Sequence, residues 1–121
     1  MVKALFDTNI LVDYLNAVPQ SRDELQRYHE KAISVVTWME VMVGATATTE
    51  KGTKDFLNSF YLIELDDCVA EQAVALRKQY RIKLPDAVIW ATAQINSMLL
   101  ITRNTKDFSE KEPGIRVPYK L

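Results

Sequence analysis

Apolar positions along the chain fall into two alternating rhythms. Short runs of consecutive apolar residues read as buried strands at residues 2–6, 32–36, 62–65, 98–101 and 115–117. Between them lie stretches with apolar residues three or four apart, the spacing that puts them on one face of a helix. These predict helices over residues 8–16, 21–31, 38–46, 51–60, 69–80 and 85–96, and one helical turn over 105–108. The helix over 69–80 carries Val69, Ala73, Leu76 and Tyr80 on one side, whereas that over 85–96 is apolar nearly all round and is expected to be buried. Short strands separated by helices predict an α/β fold. A central, mainly parallel sheet of four or five strands lies between two helical layers, a three-layer α/β/α sandwich. The 121 residues fit one domain over 1–121.

Four acids interrupt this pattern at similar places. Asp7 follows the first strand in LFDTNILVDYL, and Glu40 follows the second in SVVTWMEVMVG. Asp86 opens the buried helix in LPDAVIWATAQ, and Asp107 follows the fourth strand in LLITRNTKDF. Each has a local explanation. Asp7 or Thr8 suits an N-cap. Thr37 with Glu40 fits a capping box. Pro85 followed by Asp86 suits a first helical turn, and Asn104 with Asp107 resembles another cap. Taken together they ask for more. Helix starts at the carboxyl ends of parallel strands face the crevice where such sheets bind ligands, so four helix starts could aim four carboxylates at one place. Helix N-termini ease the crowding of anions without neutralising it. Carboxylates at that density need protons or hard cations, and Mg²⁺ and Mn²⁺ suit oxygen-only ligands. The residues themselves therefore point to metal-dependent chemistry on phosphate esters.

Composition narrows the alternatives. Fifteen basic and sixteen acidic residues leave a net charge of −1, with no bulk basic surface to signal nucleic acid. Charge can still be segregated locally, and bound cations would invert the sign of an acidic cleft. Cys68 is the only cysteine and His29 the only histidine, which excludes disulfides, cysteine zinc sites and histidine-pair catalysis within one chain. No glycine-rich phosphate loop is present. No signal peptide or membrane-spanning run is expected, so the chain is expected to be cytoplasmic. Asp13 reads as a solvated or salt-bridged helix-face residue, His29 as exposed, and Cys68 as a small buried hydrophobe. Glu64, Asp66 and Asp67 read as caps for the helix at Val69.

The four quoted stretches, in this order and spacing, resemble the PIN-domain ribonucleases, specifically the VapC-type toxins of toxin–antitoxin pairs. The resemblance covers almost the whole chain. It implies a PIN-like fold and endonucleolytic cleavage of RNA dependent on one or two Mg²⁺ ions, with Mn²⁺ as substitute. Asp7, Glu40 and Asp86 match the acidic metal-site positions. Many members also carry an acid where Asn104 stands here, and many carry the one matching Asp107; Asp107 is the expected fourth carboxylate, with Asn104 orienting it or a water. Thr8, Asn9 and Thr102 match polar positions that would hold Asp7 or a water in place. Arg103, Lys106 and Arg81 are candidates for the RNA backbone. The implied products carry 5′-phosphate and 3′-hydroxyl ends, and unpaired RNA is the expected target. The implied partners are a VapB-like antitoxin and a second copy of the chain; Tyr28, Trp38, Phe56 and Phe60 could form such surfaces, and core packing explains them about as well.

Two other readings compete. Asn104 cannot contribute charge, which favours a catalytically silent binding module of the same fold. A different acidic-site phosphoesterase, such as an aspartate-nucleophile phosphatase, wants a second Asp two residues after the first, where Asn9 stands.

Overall fold

A computed structural model describes residues 2–121. The chain runs β1 (Lys3–Phe6), α1 (Thr8–Leu15), α2 (Pro19–Gln26), β2 (Glu30–Ser34), α3 (Val35–Val43), α4 (Glu50–Leu57), β3 (Tyr61–Ile63), α5 (Asp67–Tyr80), α6 (Leu84–Ile95), β4 (Leu99–Ile101) and β5 (Ile115–Arg116). The strands form one sheet in the order β3-β2-β1-β4-β5, and every pairing is parallel. This is the predicted three-layer architecture.

The two-residue period of the strands divides the core between the two faces. Leu5 pairs in register with Ala32 and Leu100, and all three face a core built with Val69, Ala73 and Leu76 of α5 and Ala87–Ala93 of α6. Ala4, Phe6, Ile33 and Ile101 face the other way, against Ile10 and Leu11 of α1, Leu25 of α2, Val41 of α3 and Leu57 of α4. Helix α6 buries every residue from Ala87 to Ala93, in line with its uniformly apolar sequence. Among the described residues no helix is long and apolar enough to cross a membrane.

Several boundaries differ from the sequence expectation. Helix α2 spans Pro19–Gln26, so the helix predicted over 21–31 overran into a loop and the start of β2. Strand β2 ends at Ser34, whose hydroxyl accepts the Val36 N–H at 3.1 Å and caps α3. Thr37 is therefore a buried residue inside α3 and not its cap, and Glu40 is no capping-box partner. The apolar pair Val35–Val36 reads as strand, but an earlier hydroxyl takes the first helical N–H groups. Residues 105–108 close one turn of helical span, with the Phe108 N–H on the Asn104 carbonyl at 3.1 Å, and the helix does not continue. Cys68 is exposed at the start of α5, because that helix turns Val69, Ala73 and Leu76 inward instead.

The chain reverses its direction of travel across the sheet at β1, whose neighbours are β2 and β4. That switch point opens a crevice beyond the carboxyl ends of β1 and β4. Asp7 leaves β1 there, and its N–H bonds the Ile101 carbonyl at 2.9 Å.

Candidate active site

Asp7 is the N-cap of α1, and one carboxylate oxygen accepts the Thr8 N–H at 2.7 Å. The other accepts the Thr102 hydroxyl at 2.7 Å and the Asn9 amide at 3.2 Å. Only 3% of Asp7 is exposed. Burial pushes its carboxyl above the ordinary 3.8, the Glu40 charge adds to the rise, and the bonds from Thr102, Thr8 and Asn9 only partly offset it.

Glu40 sits on the exposed side of α3, where its Oε1 accepts the Thr8 hydroxyl at 2.6 Å. Thr8 thus bridges α1 to α3 and lies 3.2 Å from the Thr37 hydroxyl. Asp86 lies in the first turn of α6, partly buried. Its carboxyl is pushed up to about 6, first by burial, then by the charges of Asp7 and Asp107, with Glu40 adding to them. The acids predicted from their places along the chain therefore lie within electrostatic range of one another.

The fourth acid stands on the loop after β4. Asn104 holds Asp107 from both sides: its oxygen accepts the Asp107 N–H at 3.2 Å, and its amide donates to Asp107 Oδ2 at 3.0 Å. The Asn104 N–H in turn bonds Thr102 Oγ1 at 3.0 Å. Thr102 is fully buried and links Asp7 to this loop.

Other predicted residues are placed elsewhere. Arg103 places its guanidinium on Asp13, at 2.7 and 2.9 Å. Asp13 is salt-bridged, the second of its two expected states, and it is buried; it also accepts the Tyr119 hydroxyl at 2.8 Å. Arg81 and Lys106 are exposed, as is His29. Tyr28, Trp38, Phe56 and Phe60 all pack against the core, which accounts for them without a partner. Sequence reasoning missed Glu24, which is buried on α2 and paired with Arg116 of β5 at 2.8 and 3.1 Å. Nothing local announces that pair, because its members are 92 residues apart.

The four acids carry only oxygen donors, and among the described residues none of them makes an ion pair. Their charge is thus uncompensated by the protein, which fits a hard divalent cation. Among the described residues no group of three closes round a point as a finished ion cage. Mg²⁺ tolerates that, since it keeps several waters and takes only one or two carboxylates directly.

The PIN domain family model matches residues 4–112. Ribonuclease VapC10 of Mycobacterium tuberculosis is 29% identical over 125 aligned positions, covering 94% of each chain. A solved toxin–antitoxin complex from Klebsiella pneumoniae contains a chain 47% identical, with a TM-score of 0.93 over 98% of this chain and 100% of that one. The DNA-bound VapBC structure from Salmonella typhimurium has a chain 23% identical, with a TM-score of 0.77 over 96% of each, a likeness of fold.

Proposed function

Because the chain belongs to the PIN domain family, we propose that it is a Mg²⁺- or Mn²⁺-dependent endoribonuclease, the toxin of a toxin–antitoxin pair. The observation that carries this reading is the mutual approach of Asp7, Glu40, Asp86 and Asp107, none of which has an ion-pair partner among the described residues. The likeness to a ribonuclease over 94% of its length supports the substrate class. The 47% identity to a chain from a toxin–antitoxin complex supports the partner.

In this reading Asp7, Glu40, Asp86 and Asp107 hold one or two cations. When bound, such an ion neutralises charge at the scissile phosphate and acidifies a water for in-line attack. The protein's own part is positioning. Thr102, Thr8 and Asn9 fix the Asp7 carboxylate, Thr8 fixes Glu40, and Asn104 fixes Asp107. Without a cation the Asp86 carboxyl is pushed up to about 6 by burial and the neighbouring acids, so mild acid favours its protonated form. Unpaired RNA, a second copy of the chain, a VapB-like antitoxin and a cytoplasmic setting belong to the same proposal. A groove of about 340 Å³ runs from Glu40 along Val12, Leu15, Val41, Gly44 and Thr53. Its place beside Glu40 supports an antitoxin segment that covers the site.

Antitoxin-free protein incubated with a mixed RNA pool tests the reading. Cleavage is expected with Mg²⁺ or Mn²⁺ and none with EDTA. The Asp7→Asn variant is expected to stay folded and to lose about a thousandfold or more in rate, the several kcal/mol that metal activation supplies. No metal-dependent cleavage by the parent protein would favour the silent module instead.

A further inference from the structure

The loop after β4 carries Thr102, Asn104 and Asp107, yet between β4 and β5 the chain forms no helix or strand. Its backbone is held at Thr102, whose N–H bonds the Arg116 carbonyl at 3.1 Å, and at the turn closed by the Phe108 N–H on the Asn104 carbonyl at 3.1 Å; side chains add to these. Arg103 is fixed to α1 at two points. Its N–H bonds Asn9 Oδ1 at 3.1 Å, and its guanidinium forks onto both oxygens of Asp13. Such a paired fork fixes direction as well as distance. Asp13 is 5% exposed, and Tyr119 from the C-terminal segment occupies it as well. The residues on either side of Arg103 are Thr102, bonded to Asp7, and Asn104, bonded to Asp107.

We propose that Asp13 and Tyr119 are positioning residues that clamp Arg103 and so hold the loop over 102–107 in register with Asp7 and Asp86. Arg103 then acts as an anchor of the site and not as an RNA contact. The inference deepens the proposed ribonuclease reading and rests on it for the kinetic measurements alone.

The two roles of Arg103 make opposite demands on Asp13. If Arg103 bound phosphate, Asp13→Asn would release its charge toward RNA, tightening binding and steepening its salt dependence by about one ion. If Arg103 is an anchor, Asp13→Asn lowers kcat by about a hundredfold, the scale of a small misplacement of reacting groups. KM for RNA and its salt dependence stay as in the parent, and Mn²⁺ affinity measured by calorimetry falls. Amide exchange in the metal-free protein, read by NMR, supplies a measure independent of activity. Asp13→Asn is expected to speed exchange at Arg103, Asn104 and Asp107 about tenfold or more, a loss of about 1.4 kcal/mol, while Leu5 and Leu100 in the sheet keep their protection. Tyr119→Phe keeps the ion pair and is expected to show the same pattern at smaller size. Unchanged exchange in the loop for both variants, a uniform rise across the sheet for both, or tighter RNA binding by Asp13→Asn would each overturn the proposal. Absence of cleavage by the parent protein would overturn the ribonuclease reading and leave the exchange result standing.

Discussion

Asp7 answers two demands at once. Its side chain caps α1, which any Asp or Asn at that place does, and it is also a buried acid whose neighbours include Glu40 and Asp86. The four acids were legible in the sequence because Asp7, Glu40 and Asp107 follow strands within a few residues and Asp86 stands in the first turn of α6, and those are local patterns. Asp13 was not legible in the same way. Its partners Arg103 and Tyr119 lie 90 and 106 residues away, so its burial depends on a tertiary contact that no spacing announces. The Asn104–Asp107 pair yields a residue-scale prediction. Asp107→Asn removes one of the candidate ligand charges and is expected to weaken Mn²⁺ binding and slow cleavage. Asn104→Asp keeps an acceptor for the Asp107 N–H but loses the donor to Oδ2, setting two carboxylates against each other. It is expected to destabilise the metal-free protein by about 2 kcal/mol, the scale of a charge-assisted hydrogen bond lost, and to bind Mn²⁺ more tightly. Calorimetry and thermal melts on both variants check this.

At the scale of elements, the helix and strand rhythm was correct in kind, and the errors lie where two local chemistries compete. Val35 and Val36 extend an apolar run, yet Ser34 caps the helix that contains them. Elsewhere an element is held by contacts its own sequence does not advertise. Strand β5 is two residues long, too short to hold itself by ladder bonds alone, and Arg116 ties it to α2 through Glu24. Tyr28 and Arg27 also contact Glu24. Burial alone would raise the Glu24 carboxyl, but the bonds from Arg116 and Tyr28 outweigh it and hold it below the ordinary 4.5. Glu24→Gln is therefore expected to cost about 2–3 kcal/mol. That is below the full price of breaking a buried pair, because Arg116 keeps 35% of its side chain in solvent. At roughly 4 °C per kcal/mol for a chain of this size, the melting temperature falls by about 10 °C. Proteolysis of the C-terminal segment is expected to rise with it.

For the whole molecule, a parallel sheet between helical layers followed from the alternation of elements, but the order β3-β2-β1-β4-β5 did not. Strand order rests on which backbone edges pair, and the apolar side chains of β1, β2 and β4 are alike enough to serve in several orders. The order matters because it puts β1 beside β4 and so gathers acids from separate segments into one cleft. That gathering has a cost spread over the fold. The folded Asp86 carboxyl titrates at about 6 against an ordinary 3.8, so between those values the folded chain binds more protons than the unfolded one. Stability of the metal-free protein therefore falls as pH rises from about 4 to about 6, with Asp7 acting in the same direction. Glu24 has the opposite sign. Its contribution is present above about 4.5 and is lost as pH falls through its lowered value. Thermal melts in EDTA are expected to decline from about pH 5 to about pH 6, above the range where Glu24 opposes the trend, and Asp86→Asn is expected to make that slope shallower. A cation bound to the folded chain alone adds about 2.7 kcal/mol at a hundredfold excess over its dissociation constant. It needs the ionised carboxylates, so the gap between melts in Mn²⁺ and in EDTA should widen over the same pH range. A gap that stays constant with pH would mean that the ion binds away from these acids.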